Sequence, residues 1–132
     1  MPLSQDEQLK FKTLYLQTAR QYVQEIQTNL SMLLLGNGTN DTIDKLHLAA
    51  HSLCGQSKIM SYQSIAAISS FMEKIFKAKK NNELELSHDL LIALSRGANA
   101  MDGSLNSIEK DNKEENVSEI VENLRSLVHI EE

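Results

Sequence analysis

The reading of the chain turns on Ala49-Ala50-His51-Ser52-Leu53-Cys54-Gly55-Gln56-Ser57-Lys58. This run sets one imidazole among small residues, and its inward members belong to a longer stripe. Ile43, Leu46, Ala50, Leu53, Ser57 and Met60 recur at alternating spacings of three and four, which places them on one face of a helix. A seven-residue repeat of this kind suits helices packed antiparallel at a shallow angle. His51 lies one residue off the stripe, on a flank shared with Cys54, Gly55 and Lys58 at offsets of three, four and seven.

The same periodicity extends outward in both directions. Toward the N-terminus, Ser4 and Glu7 read as a capping box. Tyr15, Ala19, Tyr22, Ile26, Leu30 and Leu33 then form one stripe of a helix expected over 4–35. Gly36-Asn37-Gly38-Thr39-Asn40 stops it. Asn40 or Asp41 is the expected cap of the second helix, over 41–60.

After the break Ser61-Tyr62-Gln63, Ser64 is the expected cap of a third helix over 64–80. It carries Ile65, Ile68, Met72 and Ile75 inward, with Glu73 on the flank. Lys77, Lys79 and Lys80 suit its negative C-terminal end. Ser87 caps a fourth helix over 87–109, with Leu91, Leu94, Ala98, Met101, Leu105 and Ile108 inward. Gly97 and Gly103 interrupt it at about 1 kcal/mol each relative to alanine; they mark either close packing or a helix end. Glu109 to Glu115 reads as a solvated charged linker. Asn116 with Glu119 opens a fifth helix over 117–129, carrying Val117, Ile120, Val121, Leu124, Leu127 and Val128, and Glu131 and Glu132 close the sequence. The expectation is an all-α protein, one domain over 1–132: an antiparallel four-helix bundle with an additional C-terminal helix.

Composition narrows the function classes. A net charge of −5 and the lack of a basic stripe argue against nucleic-acid binding. The longest apolar run, Met32-Leu33-Leu34-Leu35, falls far short of the ~20 residues that span a bilayer, and no leader pattern is present. A single cysteine, Cys54, forms no internal disulfide and favours a reducing compartment. A soluble, cytoplasmic protein with no membrane partner is the expectation.

Gly36-Asn37-Gly38 follows a helix and lacks the further glycine of a nucleotide fingerprint, so it is a helix stop. The sequence shows no means of binding ATP, and phosphoryl chemistry would need a partner to supply ATP and Mg²⁺. His47 and His51, four apart, can share a metal, with Glu73 the candidate third ligand. The alternative for His47 is a partly buried polar residue between the first and second helices. His51 has a setting suited to nucleophilic work: small neighbours, a mid-helix Gly55, and a neutral imidazole able to accept a phosphoryl group near pH 7. Glu73 on the next helix is the candidate to hold the proton on Nδ1 and make Nε2 the nucleophile.

His51-Ser52-Leu53-Cys54-Gly55 resembles the His-x-Leu-Lys-Gly signature of histidine-containing phosphotransfer (HPt) domains, most nearly the N-terminal phosphotransfer domains of CheA-type chemotaxis histidine kinases. The likeness extends to Tyr15–Ile26, to Phe71-Met72-Glu73 and to the segment from Glu83 to Leu91. It implies a five-helix fold with His51 as phosphoacceptor and Glu73, twenty-two positions on, as its hydrogen-bond partner. The implied function is two-component or chemotaxis signalling. His51 would accept a phosphoryl group from a histidine kinase catalytic domain and pass it to an aspartate of a response regulator receiver domain. The chain would be a phosphotransfer intermediate or a histidine kinase fragment, with no cofactor of its own.

The sequence departs from the pattern at three places. Cys54 stands where the family has a lysine, Ser70 where CheA-like domains commonly have a second histidine, and Ser61 where a glycine is usual. Lys58 is the candidate replacement cation; Cys54, as a small, partly exposed residue, Gly55 and Ser70 are the candidate docking positions. A docking module that is never phosphorylated, and a bundle binding metal through His47 and His51, are the alternatives.

Overall fold

Spacings of three and four become five helices in the computed structural model, which describes residues 3–128. They are α1 (Gln5–Leu34), α2 (Asn40–Ile59), α3 (Gln63–Lys80), α4 (His88–Asp111) and α5 (Ser118–Leu127), with no strand among the described residues. None of these helices is long and apolar enough to cross a membrane.

Helix α1 begins with a complete capping box: the Ser4 hydroxyl accepts from the Glu7 N–H, and the Glu7 carboxylate accepts from the Ser4 N–H. Its buried row is Tyr15, Leu16, Ala19, Val23, Ile26, Asn29 and Leu30. Tyr22, expected in this row, is only half-buried, and Val23 takes the interior place. The stripe is wider than one seam because α1 packs against both α2 and α4.

The cap of α2 is Thr39 rather than Asn40 or Asp41. Thr39 and Thr42 exchange hydroxyl-to-backbone bonds in both directions, so Thr42 does the work a glutamate does in the usual box. Beyond Met60 the chain turns through Ser61, whose φ of 63° is left-handed.

Helix α3 has no side-chain cap on its own N-cap residue, Tyr62. Ser64 lies inside the helix and donates its hydroxyl to the Glu115 carbonyl at 3.0 Å. The Glu114 carboxylate accepts the Ile65 N–H at 3.0 Å, capping α3 from a segment 49 residues away in sequence. The linker is therefore not simply solvated. It is fastened to α3 through Glu114 and to α4 through Glu115, whose N–H donates to the buried Ser104 hydroxyl at 3.3 Å.

Helix α4 continues past position 109 to Asp111 and stops at left-handed Asn112. Both of its glycines sit at close approaches. A Cβ on Gly97 would lie 3.1 Å from Met72 Cε and 3.3 Å from Ile68 Cγ2, and one on Gly103 would lie 2.8 Å from Glu115 Oε1. Before α5, the Asn116 side chain accepts from the Ser118 N–H and hydroxyl in a local turn, so no capping box with Glu119 forms. Leu124 is fully buried, Val117 and Val128 are buried, and Leu127, expected inward, is exposed. The expected helix end at 129, with Glu131 and Glu132, lies outside the described residues.

The elements close on one another: α1 meets α2 and α4, α3 meets α2 and α4, and α5 covers α3 and α4. Ile26, Leu46, Leu53, Ile68, Met72, Leu94 and Met101 are fully buried between them. Two polar ladders record direction. Arg20 donates to Asn106 and Glu109, and Gln27 to Asn99, between α1 and α4. Between α2 and α3, Asp44 pairs with Lys80 at 3.1 Å, His51 with Glu73, and Cys54 Sγ lies 3.8 Å from the Ala66 carbonyl oxygen. Numbers rise on one helix as they fall on the other in both ladders, so each pair runs in opposite directions.

Candidate functional site

His51 stands on the solvent side of α2, on a backbone anchored by buried Ala49, Ala50 and Leu53. Glu73 stands on α3, next to fully buried Met72. The ladder between α2 and α3 brings the two together: His51 Nδ1 meets Glu73 Oε2. Their exposures differ in a way that matters. The imidazole is 65% exposed, whereas the carboxylate that holds it is 27% exposed. An ionised carboxylate only accepts hydrogen bonds, so with a neutral ring this contact keeps the proton on Nδ1 and leaves the lone pair on Nε2.

One turn further along α2, Gly55 is exposed, and a Cβ built there would meet nothing within 4 Å. Among the described residues no contact requires a glycine at this position. Ser70, one turn before Glu73 on α3, is half-buried on the same side of the helix pair. Lys58 is exposed and, among the described residues, makes no ion pair. Seven residues separate it from His51, about 10 Å along the helix axis.

Cys54 differs from its expected placement. It is a free thiol at 4% exposure, with its sulfur against the Ala66 carbonyl. It extends the row Ala50, Leu53 and Ser57 toward α3 and offers no side chain to a partner. The lysine expected at this position would need to leave that row to reach water.

His47 is half-buried, as expected. Burial lowers its pKa from the usual 6.5, Lys80 lowers it further, Glu73 opposes, and His51 and Lys77 add smaller depressions, so the charges acting on it come mostly from α3. Two lysines beside it disfavour a cation. Glu73, the candidate third metal ligand, is engaged with His51, and no group of three or more His, Cys, Asp or Glu converges among the described residues.

Beneath α2, a pair that the periodicity showed only as stripe members carries buried polar chemistry. The Tyr15 hydroxyl and Ser57 Oγ lie 2.8 Å apart, and the Tyr15 ring packs on Tyr62 at 4.9 Å between centroids. Burial pushes the Tyr15 phenol up to about 12, the bond to Ser57 opposing and the Glu114 charge assisting.

These features define an all-helical protein that holds an exposed imidazole by a carboxylate from the neighbouring helix. The Hpt domain family matches residues 10–129, and the chain belongs to that family. Over 120 residues it is 22% identical to the chemotaxis protein CheA of Listeria monocytogenes serovar 1/2a (strain ATCC BAA-679 / EGD-e), and equally to that of Listeria innocua serovar 6a (strain ATCC BAA-680 / CLIP 11262). These matches cover 90% of this chain and 19% of each relative, so the chain spans about a fifth of the length of the curated relatives it matches. Its fold is similar to the phosphorylated P1 domain of CheA3 from R. sphaeroides, solved in complex with CheY6. The TM-score is 0.81 at 14% identity, covering 89% of this chain and 94% of that one.

Proposed function

We propose that this protein relays phosphoryl groups through His51, receiving them from the ATP-binding domain of a histidine kinase and delivering them to an aspartate of a response regulator receiver domain. The observation that carries the reading is the pairing of an exposed His51 ring with the more buried Glu73 carboxylate through Nδ1. Membership of the Hpt family supports it. We take α1 to α4 as an antiparallel four-helix bundle with α5 added across α3 and α4, a reading supported by the two ladders. ATP and Mg²⁺ come with the partner domains.

In the first step the Nε2 lone pair attacks the γ-phosphorus of ATP. The N–P bond forms as the P–O bond to ADP breaks, and the electron pair leaves with ADP. The Nδ1 proton stays directed at Glu73, whose charge stabilises the cationic ring. In the second step the receiver carboxylate attacks phosphorus, the N–P bond breaks, and Nε2 recovers its lone pair. Gly55 supplies clearance for either partner. The protein contributes a held tautomer and an open approach, and each partner contributes the electrophilic stabilisation.

The test is incubation with Mg-ATP and a chemotaxis-type kinase catalytic domain, beside a known phosphotransfer domain as control. Acid-labile, alkali-stable phosphate on wild type and none on His51→Gln is the expected result. No label on wild type while the control is labelled overturns the reading in favour of a docking module that is never phosphorylated. Burial of Cys54, where the family carries a lysine, is what favours that second reading. Glu73→Ala is expected to slow labelling at unchanged helicity; an unchanged rate removes its tautomer role.

A further inference from the structure

The relay leaves one charge unaccounted for. A phosphoryl group on His51 adds about 1.5 to 2 negative charges beside Glu73, and the position where the family places a lysine holds buried Cys54. The ladder between α2 and α3 sets where the cations of α3 fall relative to His51. Asp44 opposes Lys80 and His51 opposes Glu73, and Lys77 lies between those two rungs on α3, although Lys80 acts on His47 more strongly than Lys77 does. Lys77 stands four residues after Glu73, where side chains on a helix are neighbours about 5–6 Å apart at Cβ.

The other lysines are placed less well. Lys58 lies two turns beyond His51 in the opposite direction, Lys80 is taken by Asp44, and Lys79 by Glu85. Lys74 follows Glu73 directly and so points about 100° round the helix. Lys77 is exposed and makes no ion pair among the described residues. Its charge also reaches the His47 imidazole, where it is the weakest of the depressing charges.

We infer that Lys77 is the cation that offsets the phosphoryl charge on His51, in place of the lysine whose position Cys54 occupies. The inference rests on the proposed phosphorylation of His51. Lys77 approaches the phosphoryl oxygens from α3, on the side of the ring toward His47, and leaves the approach over Gly55 open. Its contribution is screened by salt, as for any exposed charge.

The test uses potassium phosphoramidate, a small donor with no docking surface, so kinase binding does not enter. Nε2 attacks its phosphorus, the P–N bond of the donor breaks, and ammonia leaves with the electron pair. Phosphohistidine is followed by ³¹P NMR in wild type, Lys77→Met, Lys77→Arg and Lys58→Met. At low salt Lys77→Met is expected to slow phosphorylation about fivefold, as for a strong exposed charge pair. Lys77→Arg keeps most of the rate, Lys58→Met stays near wild type, and the Lys77→Met defect shrinks toward 1 M salt. A defect below about twofold in Lys77→Met, an equal loss in Lys77→Arg, or a larger loss in Lys58→Met overturns the assignment. No phosphohistidine on wild type, with a control phosphotransfer domain labelled, overturns the proposed function and the assignment with it.

Discussion

Glycine in the middle of a helix is about 1 kcal/mol worse than alanine, and at position 55 nothing among the described residues requires it. Gly55→Ala is therefore expected to raise stability in urea unfolding by about 1 kcal/mol while slowing phosphoryl exchange with a receiver domain. If stability and exchange both stay at wild-type values, Gly55 has no role in clearance. His47 makes a second residue-scale prediction. Its folded pKa lies below the ordinary 6.5, so the unfolded chain takes up the proton first. The stability that neutral His47 preserves is complete above pH 6.5 and is lost as the pH falls below it. His47→Gln should flatten this part of the stability-pH curve, and an unchanged slope between pH 7 and 5 would refute the coupling.

Among the elements, the start of α3 depends most on a distant partner. Glu114→Ala removes the acceptor for the Ile65 N–H and is expected to cost about 1 kcal/mol, the usual worth of an N-cap. Faster hydrogen exchange at the Ile65 amide, with exchange in the middle of α2 unchanged, is the accompanying signature. This contact also shows what the sequence made legible. The inward rows of α3 and α4 were readable because each follows a strict period; every predicted member, from Ile65 to Ile75 and from Leu91 to Ile108, is buried. Cys54 was misplaced because one stripe was assumed for α2, whereas a helix seated between two neighbours buries a wider arc. Glu114 and Glu115 were hidden in a run of charge that reads as solvated. Gly103 beside Ser104 in α4 was an indirect trace, while Ser64, read as the cap of α3, hid the need for Glu114. Glu73 was a candidate partner for His51 from its flank on the next helix, and the family resemblance pointed to the same pair; periodicity alone places residues on faces but does not set the register between helices.

At the scale of the molecule, the Tyr15–Ser57 contact joins α1 to α2, and Tyr62 packs against it where α3 begins. The unfolded chain releases the phenol proton near pH 10, while the folded protein keeps it to about 12. Between those values the folded state binds more protons, so stability is full below pH 10 and is lost as the pH rises toward 12. The difference amounts to about 3 kcal/mol at most. Denaturation of wild type and Tyr15→Phe at pH 9 and pH 11 checks it: wild type should lose more between the two than the variant. Equal losses would show that Tyr15 ionises in the folded protein as it does in water.

The fastening of α3 by Glu114 also sets an order of events during synthesis. A chain leaving the ribosome N-terminus first presents α1, α2 and α3 well before position 114 exists. Through that interval the first turn of α3 lacks the acceptor for the Ile65 amide. Glu73 sits beyond that turn, so the helix carrying the partner of His51 acquires the cap on its first turn late, when the linker between α4 and α5 has been made. A nascent chain halted between α3 and the linker would hold both His51 and Glu73 and still fray at the start of α3.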